Sequence, residues 1–360
     1  MTNRAGQAGP GRAGPPGRAG PAARVGRAGD ELRERLSALL PVVRAFAIPM
    51  RTRFRGITVR EGALIEGPAG WGEFSPFAEY GPRECARWLA CALEAACSGW
   101  PDPVRGRVGV NVTVPAVGPD RAHEIVAGSG CRTAKVKVAE AGQSDGDDIA
   151  RVEAVRDAIG PAGRVRVDAN GAWDVGHAAR MLAALARFDL EYAEQPCASL
   201  AELAELRRRV SVPLAADESI RRAEDPLAVR AAGAADIVVL KVQPLGGVRA
   251  ALRVAAACGL PVVVSSAVES SVGLAAGVAL AAALPDLPYD CGLATMSLLT
   301  GDVTGEPLAS ADGTLPVRPR AVPDPERLSA WEADPAPWIA RMLAAAEFLA
   351  AEVRAAGSGP

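Results

Sequence analysis

Between residues 107 and 295 the chain repeats one grammar eight times: a short β-branched run, then in most cases an Ala/Leu/Arg stretch with helical spacing. The runs are RVGVNVTV (107–114), AKVKVA (134–139), RVRVDAN (164–170), LEYAEQ (190–195), PLAADES (213–219), DIVVLKV (236–242), PVVVSSA (261–267) and YDCGLAT (289–295). Helical patterns fall between them at 145–159, 175–187, 199–210, 224–233, 247–258 and 272–284. Parallel strands need a crossover between them, so strands alternating with helices imply a parallel sheet. Eight units in about 190 residues fit a closed (β/α)8 barrel of the TIM type better than an open sheet.

The rest of the chain is read around that barrel. Residues 1–29 are Gly/Ala/Arg/Pro low complexity, with GRAG at 11–14, 17–20 and 26–29. Such a segment buries almost nothing and is expected to be a disordered leader; it has no apolar signal-peptide stretch. Residues 30–104 form an expected α+β capping domain, with strands in 41–48 and 55–65, a turn at Gly70-Trp71-Gly72 and a helix over 83–99. The barrel is assigned to 105–320. Residues 321–360 contain an amphipathic helix (337–356) expected to return to the cap.

Composition excludes several functions. Forty basic and 42 acidic side chains give a formal charge of −2, which speaks against a nucleic-acid surface or a polybasic membrane anchor. Aromatics are 4%, too few for a base-stacking platform. The longest apolar stretch, 272–285, is short for a bilayer and flanked by Glu269 and Asp286. Seven cysteines form no CxxC pair and read as small buried residues of a reducing, cytoplasmic setting. With His123 and His177 alone, both expected on the surface, a His-based zinc site or triad is a poor reading. The sequence leaves monomer and dimer open.

Only three of the 40 basic residues are lysines: Lys135, Lys137 and Lys241. Arginine never gives up its proton in practice, whereas lysine serves as acid or base, so the lysines mark chemistry. Barrel active sites lie at the C-terminal strand ends, and all three lysines fall there. So do Asp168, Glu194 and Asp217, one on each of three neighbouring strands. Converging carboxylates repel unless a cation sits among them, and hard oxygens without His or Cys select Mg²⁺, with Mn²⁺ as a substitute. Lys135 and Lys137 share a face of one strand, and each is expected to lower the other's pKa, poising one for proton transfer. Lys241 stands across the barrel. Arg166 is placed to meet a substrate anion, with a counter-ion role as the alternative; Asn170 steadies the site or serves a turn. Glu218 is expected to support Asp217 rather than ligate.

The ordered motifs KVK, VDAN, EQP, DES and LKVQPLGG resemble the enolase superfamily, specifically its muconate-lactonizing-enzyme-like subgroup, over about residues 41–330. The flanking segments PMRTRFRGITVREGALI, GWGEFSPFAEY, VNVTVPA, SSAVESSVGLAAG and GLATMSLLTGDV resemble the o-succinylbenzoate synthases of actinobacteria. Sites of this superfamily use a Lys or His base with Mg²⁺ and an enediolate. The resemblance implies Mg²⁺ on Asp168, Glu194 and Asp217, Lys137 as general base, Lys241 as the cation facing the enediolate, and Lys135 tuning Lys137. It further implies that Ser265 and Gly292 contact a succinyl arm, and that loops around 49–55 and 74–80 close the site. The implied reaction is syn dehydration of 2-succinyl-6-hydroxy-2,4-cyclohexadiene-1-carboxylate to 2-succinylbenzoate, in menaquinone synthesis. The rivals are an N-acylamino-acid racemase or dipeptide epimerase on the same scaffold, and, from a different class, a non-catalytic metal-binding barrel. Deleting residues 1–28 should leave activity and melting temperature unchanged; a loss of several degrees in a thermal melt would show that the leader packs on the cap.

Overall fold

The structure, a computed structural model, describes residues 1, 2, 31, 34, 36–221, 227–318 and 320–357. The expected leader thus lies outside the described residues apart from Met1 and Thr2, as does part of the expected helix 224–233. Strands β1 (Arg44–Phe54), β2 (Ile57–Gly67) and β3 (Gly70–Phe74) form an antiparallel sheet, with Glu332–Ala333 along the free edge of β1. Arg55 and Gly56, both at positive φ, make the two-residue turn between β1 and β2, and Phe54 faces Ile57 across it. The pairing slips between Pro49 and Phe54, which frees the hairpin tip from regular register. The tip is held instead by the Pro49 carbonyl, which accepts from Thr300 N at 2.9 Å.

Gly70-Trp71-Gly72 is not a turn. It is the start of β3, and the turn lies just before it. Gly72 is needed because the helix Pro82–Cys97 crosses β3 closely: a Cβ there would sit 2.0 Å from the Ala92 carbonyl oxygen. The long C-terminal helix Ala336–Gly357 packs on Pro82–Cys97. Trp338 meets Phe74 edge to face at 6.1 Å, and Met342, Ala345 and Leu349 join Trp88 and Leu89 in a core separate from that of the barrel.

The first barrel run splits. Its β4 (Arg107–Gly109) pairs antiparallel with Thr314–Pro316, and only β5 (Val112–Val114) enters the barrel. The parallel sheet continues through β6 (Thr133–Lys137), β7 (Arg164–Asp168), β8 (Leu190–Glu194), β9 (Leu214–Ala216), β10 (Ile237–Leu240) and β11 (Val262–Val264), in sequence order. The eighth run is not a ladder strand. It closes the ring through single parallel bridges, Val110 with Cys291 and Ser265 with Gly292. Gly292 passes the end of β11 closely: a Cβ there would approach Ser265 Oγ to 2.5 Å. The architecture is therefore an α/β barrel with an antiparallel capping layer.

Most helices fall where spacing puts them, for example Asp145–Ile159, Val248–Cys258 and Ser271–Ala283. Ser144 and Ser199 begin two of them with capping boxes closed by Asp147 and Glu202. The helix Pro119–Ala127, with few apolar positions, and the one-turn helices Glu218–Arg221 and Val242–Leu245 have no counterpart in the expected pattern. Among the described residues no helix is long and apolar enough to cross a membrane. Trp338→Ala should cost about 3–5 kcal/mol in urea unfolding, the range for losing a buried aromatic; a cost below ~1 kcal/mol would mean that the C-terminal helix contributes little to the cap.

Candidate active site

The C-terminal ends of β6 to β11 bring the expected residues together. The register sets Lys137 beside Asp168 and Asp168 beside Glu194; Glu194 pairs with Ala215, two residues before Asp217. Side-chain alternation turns Lys135, Lys137, Asp168 and Glu194 to the barrel interior. Each carboxylate meets an ammonium: Lys137 Nζ donates to Asp168 at 2.5 Å, Lys135 Nζ to both Glu194 oxygens at 3.0 Å, and Lys241 Nζ to Asp217 at 2.5 Å. All six side chains are buried.

Burial and mutual repulsion with Asp168 and Asp217 push Glu194 up to about 7, against the pull of Lys135. Asp168 and Asp217 go the other way: despite burial, their ammonium and guanidinium neighbours hold them well below the usual carboxylate range. The two lysines of β6 also diverge. Burial lowers Lys137, with Lys135 adding to the effect against Asp168. Lys135 feels the same burial, but Glu194 and Asp168 outweigh it and raise its pKa. Lys135 thus lowers Lys137, while Lys135 itself ends raised because it lies between two carboxylates.

As the side chains stand, no group of three or more His, Cys, Asp or Glu among the described residues is gathered to hold a metal ion. The carboxylate oxygens are turned onto lysines, Arg221 or the Asn170 amide. The donor set nevertheless fits a divalent cation. It is all oxygen, comes from adjacent strand ends, and its members are close enough for Glu194 to feel both aspartates.

Arg166 belongs to a deeper layer of the barrel. Two residues before Asp168 on the same face, it lies about one pleat repeat, ~6.6 Å, deeper in the barrel. It is fully buried, donates to Glu191 at 2.5 Å and to Asn111 at 3.1 Å, and stacks on Tyr192 at 4.7 Å. These contacts favour the counter-ion alternative for Arg166, at the barrel floor, with its Nη2 buried and without a hydrogen-bond partner. Asn170 sits beyond β7 in a left-handed conformation (φ 48°). It accepts from Lys137 Nζ at 2.6 Å and donates to Glu218 at 3.2 Å. Glu218 also accepts from Arg221, which donates to Asp217 at 3.0 Å, so one hydrogen-bonded chain runs from Lys137 back to the Asp217–Lys241 pair.

A cavity of about 20 Å³ is lined by all three lysines, Ser265, Gly292, Thr113, Thr295 and, from the hairpin tip, Phe54 and Arg55. Phe54 also covers Lys137, its ring centre 5.2 Å from Nζ. Thr113 is shared with a second cavity of about 650 Å³ that also borders Arg51 and Thr52. Sequence reasoning gave no role to Thr113, Gln195 and Arg221, and reached Phe54 only as part of the closing loop around 49–55. Gln195, fully buried, accepts from Asp217 N and Ser219 N and so fixes where β9 ends. Arg221 carried a signal, since it stands four residues after Asp217. Both histidines lie on outer helices beside Asp157 and Asp145.

Family models match the chain as enolase N-terminal domain-like over residues 45–96 and enolase C-terminal domain-like over 119–322. The fold is shared with the muconate lactonizing enzyme of Pseudomonas fluorescens complexed with muconolactone, with a TM-score of 0.69 and 23% identity over 81% of this chain and 98% of that one. It is shared also with the N-succinyl Arg/Lys racemase of Bacillus cereus, with a TM-score of 0.69 and 18% identity over 81% and 97%. The chain belongs to the enolase superfamily and is of the muconate-lactonizing-enzyme-like type. It is 73% identical over 302 residues to an o-succinylbenzoate synthase of Thermobifida fusca, covering 84% of this chain and 95% of that protein. It is 57% identical over 321 residues to one of Mycolicibacterium smegmatis, covering 88% and 96%. Within the superfamily it is a member of the o-succinylbenzoate synthase family, and a lyase. In calorimetric titration with Mn²⁺, the Asp168→Ala, Glu194→Ala and Asp217→Ala variants should each bind at least ~10-fold more weakly than the parent while keeping its circular dichroism; undiminished affinity in the Glu194 variant would remove the three-carboxylate site.

Proposed function

We propose that the chain dehydrates 2-succinyl-6-hydroxy-2,4-cyclohexadiene-1-carboxylate to 2-succinylbenzoate in menaquinone biosynthesis, with Mg²⁺ as its cofactor. The high identity to curated synthases along nearly their whole length carries the reading, and the three-lysine, three-carboxylate ring supplies the chemistry. Asp168, Glu194 and Asp217 would hold the cation, which when bound supplies positive charge opposite the substrate carboxylate.

Lys137 is suited to be the base because burial already favours its neutral form. Its Nζ takes the proton alpha to the carboxylate, and the C–H electron pair becomes part of the enediolate. The same nitrogen, now an ammonium, gives a proton to the hydroxyl as the C–O bond breaks, so water leaves on the face from which the proton was taken. Lys241 faces the anion from across the cavity as a fixed positive charge. Lys135, held charged between Glu194 and Asp168, keeps Lys137 from gaining a proton too readily. Aromatisation of the ring drives the second step. Ser265 and Gly292 would border the succinyl arm. A cavity of about 20 Å³ has room for about one water molecule. Phe54 and Arg55 must therefore withdraw to admit substrate, and on return they exclude water. The free cysteines agree with a reducing, cytoplasmic setting.

The assay is dehydration of the cyclohexadiene substrate with Mg²⁺ and again after EDTA. Lys137→Arg keeps the charge but loses the removable proton, and should cost on the order of 10²–10⁴-fold in turnover. Lys241→Arg should cost less, because it still supplies charge. In a racemase both lysines exchange protons, so with an N-succinylamino acid the two losses should be comparable. Equal, mild losses on the dehydration would sink the one-base mechanism.

A further inference from the structure

Arg60 is a β2 residue of the cap, 2% exposed, and no step above uses it. Its guanidinium is divided among several acceptors. Nε donates to the Val268 carbonyl at 3.0 Å, Nη1 to the Glu61 carbonyl at 2.7 Å, and Nη2 to Ser75 O and Oγ at 2.5 and 2.8 Å. Two of these contacts lead to the lysines. Ser75 N and Oγ meet the Gln243 amide at 3.4 and 3.3 Å, two residues beyond Lys241. Val268 lines the catalytic cavity with Ser265, Ser266 and Ala267.

Val268 has φ of +63°. A β-branched residue in the left-handed region is strained, and the conformation persists only where its surroundings over-determine it. The determinants are visible. Val268 N donates to Ser266 Oγ at 2.7 Å, while the Glu269 carboxylate accepts from Ser266 Oγ at 2.5 Å and from Ala267 N at 2.8 Å. Ser266 Oγ also meets Thr295 Oγ1 at 2.8 Å. These contacts belong to the barrel mouth. The Val268 carbonyl is held from the cap by Arg60.

We propose that Arg60 is a positioning residue for the dehydration: it clamps the strained Val268 turn to the cap and so sets the cavity wall of Ser265–Val268 against Lys241. The inference rests on the lyase reading above. It makes the cap part of the site through backbone held in place, in addition to the loops that close over it. A lysine at position 60 would keep the charge but could not span Val268 O and Ser75 together.

The test is a double-variant cycle. Kinetics with the cyclohexadiene substrate and thermal melts are measured for the parent, Arg60→Lys, Val268→Gly and the double variant. Arg60→Lys should lower kcat/KM at least ~10-fold, since small displacements of positioning groups cost that much or more. Glycine adopts positive φ without strain, so Arg60→Lys should cost several-fold less kcat/KM when made in Val268→Gly than when made in the parent. A residue that only stabilises the fold would give no such difference. Arg60→Lys behaving like the parent, or costing as much in Val268→Gly as in the parent, would overturn the proposal. So would an Arg60→Lys chain that melts below the assay temperature and is not brought back by Val268→Gly. A parent chain inert towards the substrate would instead overturn the lyase reading, which separates the two failures.

Discussion

The ring of three ammonium and three carboxylate groups at the barrel mouth governs how the rest of the molecule is arranged. All six are less than a tenth exposed. A buried charge left alone costs several kcal/mol, so each must face an opposite one. Only adjacent parallel strands in fixed register can supply that many partners in so small a space. On the proposed reading the charge balance also constrains binding. Three ammoniums cancel three carboxylates, and Arg221 is matched by Glu218. Once Lys137 is the neutral base, the ring and a divalent cation together carry one positive charge, which a substrate carboxylate meets.

Strain is concentrated where the ring is built. Seven non-glycine residues take positive φ among the described residues. Ala139, Asn170, Gln195 and Val268 each follow a barrel strand closely, and Arg55 lines the cavity from the hairpin. The sharp exit of the chain from a strand turns the preceding side chain inward and frees backbone amides for it, as Asn170 N does for Asp168 at 3.1 Å. Buried polar contacts hold these conformations in place: Asn170 through Lys137 and Glu218, Val268 through Arg60 and Ser266.

Much of the site was legible because strand periodicity is rigid. Parity alone places Lys135 with Lys137 and Asp168 with Arg166, and sequence order places Asp168, Glu194 and Asp217 on neighbouring strands. Parity does not report depth along the barrel axis, which is why Arg166 reads as a ligand-facing group while the structure sets it deeper, beside Glu191 and Tyr192. Nor does it report three-dimensional neighbours from other elements. The opposite fates of Lys135 and Lys137 depend on carboxylates contributed by β7 and β8. Phe54 reaches the site from the tip of the β1–β2 hairpin, where the register has slipped after Pro49.

The sequence by itself determined the barrel class, the capping elements and the chemical types at the strand ends, because hydrophobic period and residue chemistry are local properties of the chain. It also confined lysine to three positions in a chain that otherwise uses arginine, and all three line one cavity. Tertiary structure alone decided how the ring closes: through single bridges from Cys291 to Val110 and from Gly292 to Ser265 rather than an eighth ladder strand, because the eighth run must meet the first and seventh at once. It alone decided that Gly70-Trp71-Gly72 is strand, because these residues pair with Gly67, Glu66 and Ile65 of β2. It alone also joined Arg60 of the cap to Val268 of the barrel, 208 residues away. Contacts of that range depend on how whole elements pack, and no local pattern in the chain encodes them.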